Sequence, residues 1–191
     1  MTSKSSYFPL FLDITNRCVL VVGGGKIATD KLEKLLDFTT NIKIVAKEFT
    51  PRMMGLVKKH KLSFSNRTFC DDDLLGVDVV VSAVDDMDLQ KYIFDKTRDK
   101  SILVNSVDKR EFSDFIFGSY IKEDGVVISI STLGLLPAVS KYLKRYLKKA
   151  LPENLADFLR KAKQTRESLP KGKERMKLLS KMAKEFFDVT Q

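Results

Sequence analysis

A chain of 191 residues with 43% hydrophobic side chains suits one packed domain plus an appendage, and no apolar run approaches the roughly 20 residues needed to cross a bilayer. Two cysteines without a CxxC spacing exclude a disulfide framework, and a single histidine, His60 in the basic run Lys58-Lys59-His60-Lys61, excludes a His-based metal cluster. The net charge of +9 resides from Val139 onward, where fifteen basic residues face six acidic ones: either a solvated helical face or a field drawing in a polyanion. Residues 1–7 lead straight into Phe8-Pro9-Leu10-Phe11-Leu12 without a signal-peptide core, which predicts a cytoplasmic location and no membrane association.

In chain order, Phe8 to Leu12 is an apolar lead-in expected to pack beside the first strand. That strand is the β-branched run Cys18-Val19-Leu20-Val21-Val22, which stops at Gly23-Gly24-Gly25. A helical pattern follows from Thr29. Gly23-x-Gly25-x-x-Ala28 between strand and helix fits a dinucleotide fingerprint: one glycine for the turn, one for close backbone approach to a pyrophosphate, and a small residue for packing. Free N–H groups at the helix start, around Lys26 and Ile27, then face the phosphate charge. Residues 41–46 read as a second parallel strand ending at Lys47 and Glu48. Glu48 would hold ribose hydroxyls, whereas Lys47 would favour a 2′-phosphate, so the sequence leans toward NAD without settling the choice.

Pro51 to Lys61 fits a helix, Leu62 to Ser65 a short strand, and Asp71-Asp72-Asp73-Leu74-Leu75 a capped turn. Three adjacent aspartates point in different directions, which disfavours a metal site; no metal ligands are assigned. Residues 77–84 are the most buried-looking strand, closing at Val84, Asp85 and Asp86 on the carboxyl edge where ligands bind in such sheets. Met87 to Lys100 is a helix, and residues 102–108 are a strand with Asn105 and Asp108 toward its end. Residues 114–122 and 126–131, joined by Glu123-Asp124-Gly125, predict an antiparallel hairpin. A helix from Ala138 to Ala150 and a helical tail broken near Pro170-Lys171-Gly172 complete the chain.

Together these landmarks resemble the precorrin-2 dehydrogenase family, the N-terminal module of siroheme synthase. The residues that carry the likeness are Phe8-Pro9-Leu10-Phe11, VLVVGGGKIATDKLEKLL, SAVDD at 82–86, VNSVD at 104–108, Phe115-Ile116, and ISTLGLLPAVSKYLKRYL at 130–147. The resemblance implies an α/β chain: a Rossmann-type NAD-binding domain over residues 1–112, a small α+β dimerisation region over 113–150, and a C-terminal helical region over 151–191. It implies NAD⁺-dependent oxidation of precorrin-2 to sirohydrochlorin, with Fe²⁺ insertion as a second activity in some members. It also implies a homodimer and a substrate bearing eight carboxylates, which supplies an anion for the basic C-terminal third. Asp108 matches the family's key aspartate, Thr132 matches a hydroxyl position near its active site, and Asn105 and Ser131 join them as substrate contacts. The cofactor set is Gly23, Gly24, Gly25, Lys26, Ile27, Lys47, Glu48, Val84 and Asp85.

Two departures stand out. Leu133-Gly134-Leu135-Leu136-Pro137 replaces a glycine- and serine-rich turn, and Gly118 stands where a proline is common. The rival functions are a non-catalytic NAD(H)-sensing module, which would not need Asp108, and a basic nucleic-acid-binding protein. No nucleic-acid motif supports the latter, and Phe186-Phe187 read as helix packing rather than a stacking platform.

Overall fold

Four runs rich in Val, Ile and Leu are largely buried, and that requirement sets the architecture. In the computed structural model, which describes residues 7–107, 109–123 and 125–189, they form a parallel sheet. Its strands are β1 (Val19–Val22), β2 (Ile42–Ala46), β3 (Ser63–Asn66), β4 (Val79–Ser82) and β5 (Leu103–Ser106), in the order β3-β2-β1-β4-β5. Val19 lies opposite both Ile42 and Val79, and Val22 opposite Val45 and Ser82, so the three central strands end level with one another. Strand order reverses at β1, which opens a crevice between the carboxyl ends of β1 and β4.

Helices cover both faces. Helix α1 (Lys26–Leu36) buries Ala28, Thr29, Leu32 and Leu35, and α2 (Pro51–His60) buries Met53 and Val57. Helix α3 (Met87–Thr97) buries Ile93 against a cluster of Leu20, Val22, Val80 and Val104. Burying one such side chain contributes about 1.5–3 kcal/mol. Thr50 caps α2 by accepting the Met53 N–H, and Lys61 ends it in the left-handed conformation. The Asp71–Asp73 run forms a single 3-10 turn, as its capping signal predicts. Cys18 is buried in the core and Cys70 is exposed, both as free thiols.

Three local expectations change. Helix α1 begins at Lys26 rather than Thr29, because Gly25 is its N-cap and the helix departs directly from the glycine turn. Phe8, Leu10 and Phe11 are largely exposed instead of packing beside β1. The first hairpin strand starts at Ser119, not Asp114. Asp114 is committed to the sheet edge, where its N–H donates to Val104 O at 2.8 Å and its carboxylate accepts the Val104 N–H and a forked pair from Arg98. Phe115 O accepts the Asn105 side-chain amide, so the apolar run 115–117 starts as a strap along β5.

Burial pushes the Asp114 carboxyl up, but the Arg98 and Val104 donors outweigh it and hold the group below the ordinary aspartate range. A depressed folded-state pKa gives stability that is present above the unfolded value near 4 and is lost as pH falls through the folded value. Asp114→Asn should cost about 2–3 kcal/mol in urea unfolding at pH 7 and remove this part of the acid sensitivity. An unchanged midpoint would show that the strap contributes little.

The chain divides into two compact units, Met1–Ile116 and Phe117–Gln191. In the second, β6 (Ser119–Glu123) pairs antiparallel with β7 (Val126–Ile130), with Gly125 at positive φ in the turn; Asp124 lies outside the described residues. Helix α4 (Pro137–Ala150) packs on both strands, and α5 (Leu155–Ser168) packs on α6 (Lys173–Val189). Phe158 and Phe186 stack at 4.3 Å, in keeping with a packing role for Phe186. Arg175 donates to Arg166 O and Leu169 O, satisfying the end of α5. Among the described residues no helix is long and apolar enough to cross a membrane.

Candidate functional site

A cleft of about 510 Å³ lies at the carboxyl edge of the sheet, where β1, β2, β3 and β4 end. Its floor is the glycine turn. Gly23 has φ +118°, and a Cβ there would overlap Ala83 O. A Cβ on Gly24 would overlap Glu48 O. These two glycines therefore exist to let three loops close on one another. The closure is held by backbone hydrogen bonds: Gly23 N–H donates to Val45 O, Thr50 N–H to Gly24 O, and Ala83 N–H to Val22 O, at 2.8–2.9 Å.

Gly25 differs. A Cβ on it would meet no atom within 4 Å, so its missing side chain leaves open space at the mouth of α1. That helix starts with neither a side-chain cap nor an acidic residue in its first turn, so its leading N–H groups and the positive end of its dipole are uncompensated. An open cradle with unspent donors suits a phosphate or pyrophosphate. On these grounds a dinucleotide fits the residues present.

The walls contain every cofactor residue expected from the sequence: Gly23, Gly24, Gly25, Lys26, Ile27, Lys47, Glu48, Val84 and Asp85. Asp86 also lines the cleft, but its carboxylate caps α3 by accepting the Leu89 N–H at 3.0 Å. Gln90, fully buried, donates to Val84 O at 2.6 Å and fixes the β4 loop. Sequence reasoning missed Arg67, Thr68 and Phe69, which form the wall at the end of β3. The available signal was a basic residue two positions past the predicted strand Leu62 to Ser65, on this same edge.

The substrate candidates fare differently. Asn105 is buried in β5; its amide N–H₂ donates to Phe115 O at 2.9 Å, and its carbonyl oxygen has no partner among the described residues. Asp108 lies outside the described residues. Ser131 and Thr132 belong to the second unit, where they organise the turn before α4. Ser131 Oγ accepts the Leu133 N–H at 3.0 Å, and Thr132 Oγ1 accepts from the Leu136 N–H and the Ser140 hydroxyl. In that turn Leu133 adopts φ +50°, a left-handed conformation where glycine is the unstrained residue, and Leu135 is 88% exposed.

Comparison with known proteins agrees with this geometry. A family model described as "Putative NAD(P)-binding" matches residues 10–119. The chain is 33% identical over 150 residues to a siroheme synthase of Mannheimia succiniciproducens, covering 78% of this chain and 32% of that protein. Siroheme synthases of Buchnera aphidicola and Zymomonas mobilis are 31% and 34% identical, covering 87% and 88% of this chain and 35% and 37% of theirs. The chain thus spans about a third of the length of the curated relatives it matches. Among solved structures it is similar to "SirC, precorrin-2 dehydrogenase", with 25% identity, a TM-score of 0.78, and coverage of 92% of this chain and 89% of that one.

Proposed function

Because the chain belongs to the NAD(P)-binding family that matches residues 10–119, we propose that it is an NAD-dependent dehydrogenase converting precorrin-2 to sirohydrochlorin, a step toward siroheme. The observation that carries this reading is the open cradle at Gly25 on the edge of a fold similar, over 92% of its length, to a precorrin-2 dehydrogenase. NAD⁺ bound in the cleft supplies a hydride acceptor. The α1 N-terminus and the turn from Gly23 to Ile27 hold its pyrophosphate, Glu48 takes ribose hydroxyls, and Val84 and Asp85 border the path toward the nicotinamide.

Losing a hydride leaves the macrocycle cationic, and a proton must then depart for conjugation to extend. Asp108 is the proposed acceptor: a carboxylate there stabilises the developing charge and takes the proton. Asn105, Ser131 and Thr132 are proposed substrate contacts. The surplus of cations from Val139 onward supports recruitment of an octacarboxylate over a neutral ligand. Residues 113–150 are proposed to mediate a homodimer, with 1–112 binding NAD and 151–191 forming the helical region. Exposed Val127, Tyr142 and Tyr146 support a covered face there, and a monomer by light scattering at micromolar concentration would refute it.

The deciding experiment incubates the full chain with precorrin-2 and NAD⁺ or NADP⁺, following absorbance with and without Fe²⁺. Sirohydrochlorin formation that requires NAD⁺ is expected. Tight NADH binding without turnover would favour a sensing module instead.

A further inference from the structure

At the carboxyl end of β3, Arg67 stands in the cleft wall beside the Lys47–Glu48 end of β2. Asn66 ties the two strand ends together by donating to Ala46 O and Lys47 O. In dinucleotide folds this rim meets the adenosine ribose: an acid takes the 2′- and 3′-hydroxyls, and an arginine takes a 2′-phosphate when there is one. The chain carries such an arginine, yet three of its five N–H donors are already engaged, including one on each terminal nitrogen of the fork. Nη1 and Nη2 donate to the two carboxylate oxygens of Asp73 at 2.8 and 2.6 Å, and Nη1 also donates to Thr68 O at 2.9 Å.

Asp73 is the anchored partner. Its side chain is 11% exposed against 45% for Arg67, and its Oδ2 accepts the Cys70 N–H at 2.9 Å within the 3-10 turn. The carboxylate therefore holds the arginine in place, in the forked geometry that is strongest between these groups. Charge completes the argument. Lys47, Glu48 and Arg67 alone would leave the rim with one surplus positive charge; Asp73 cancels it. A ribose bearing a dianionic phosphate then finds the forked edge of the guanidinium occupied and gains no net field.

We propose that the Arg67–Asp73 pair sets the cofactor choice of the cleft: by engaging the guanidinium on the adenosine rim, Asp73 selects the dinucleotide that lacks a 2′-phosphate. This rests on the dinucleotide reading of the cleft. Arg67 is the specificity residue, and Asp73 is a positioning residue that acts through it.

The test titrates the full chain with NADH and with NADPH, read by nicotinamide fluorescence. Wild type should prefer NADH. Asp73→Asn keeps the side-chain shape and an oxygen for the Cys70 N–H while releasing the guanidinium. It should tighten NADPH by roughly tenfold and leave NADH within about twofold. Adding Arg67→Gln should erase that gain. Arg67→Gln alone leaves the carboxylate uncompensated and should weaken NADPH further, which keeps the idea testable if Asp73→Asn folds poorly. The proposal falls if the NADPH-to-NADH ratio is unmoved in Asp73→Asn or in Arg67→Gln, or if the gain survives in the double variant. Wild type that binds neither dinucleotide would instead overturn the reading of the cleft itself.

Discussion

Gly24→Ala should abolish measurable NADH binding and destabilise the first unit by about 3 kcal/mol, because the new methyl group lands on Glu48 O. That oxygen is backbone, so it yields only by moving the loop after β2, and with it the Thr50 N–H bond to Gly24 O. Gly23→Ala meets Ala83 O and additionally asks an L-residue to sit at φ +118°. Gly25→Ala is the informative contrast. Nothing in the protein lies within 4 Å of its Cβ, so unfolding should shift by less than about 0.5 kcal/mol. NADH affinity should nevertheless fall roughly 10- to 100-fold, since the methyl group fills space where the pyrophosphate approaches the backbone. Urea melts and fluorescence titrations on the three variants separate the two roles. Wild-type affinity in Gly25→Ala would remove the phosphate from this cradle.

Asp108→Asn should lower precorrin-2 turnover by roughly 10²- to 10⁴-fold while leaving the NADH dissociation constant within about twofold. The amide preserves shape and polarity but cannot accept a proton, and it no longer offers a negative charge to the cation that follows hydride loss. A deficit in kcat with intact cofactor binding is the signature of a group used after the cofactor is seated. Unchanged turnover would return Asp108 to an ordinary turn residue and leave NAD binding as the chain's activity.

Much of the cleft was legible because its chemistry is local in the chain. Strand, glycines and helix start fall within eleven consecutive residues, Cys18 to Ala28, and the wall residues Lys47, Glu48, Val84 and Asp85 each follow a strand of obvious apolar character. The pairing of Arg67 was not legible. Its partner Asp73 sits in a turn whose three aspartates look alike in sequence, and only the fold selects which one receives the fork. The apolar run 115–117 misled for a related reason: Asp114 docks on β5 through long-range bonds, and a hairpin strand cannot begin until that strap has ended. The exposure of Phe8, Leu10 and Phe11 also ran against pattern, since composition marks a segment as apolar without saying what it covers. The sequence leans toward NAD through Glu48 and the family resemblance, whereas the Arg67–Asp73 fork on which the proposed preference rests is visible only in the fold.

The mutual seating of the loops after β1, β2 and β4 has a further consequence. Because backbone bonds and the Gly23 and Gly24 contacts already knit them together, the recess is finished before any visitor arrives. Occupancy then orders little polypeptide, so little of the binding energy is diverted into freezing backbone. Association should be a single bimolecular phase without a slow isomerisation, and its heat-capacity change should reflect only the surface covered, with no contribution from coupled folding.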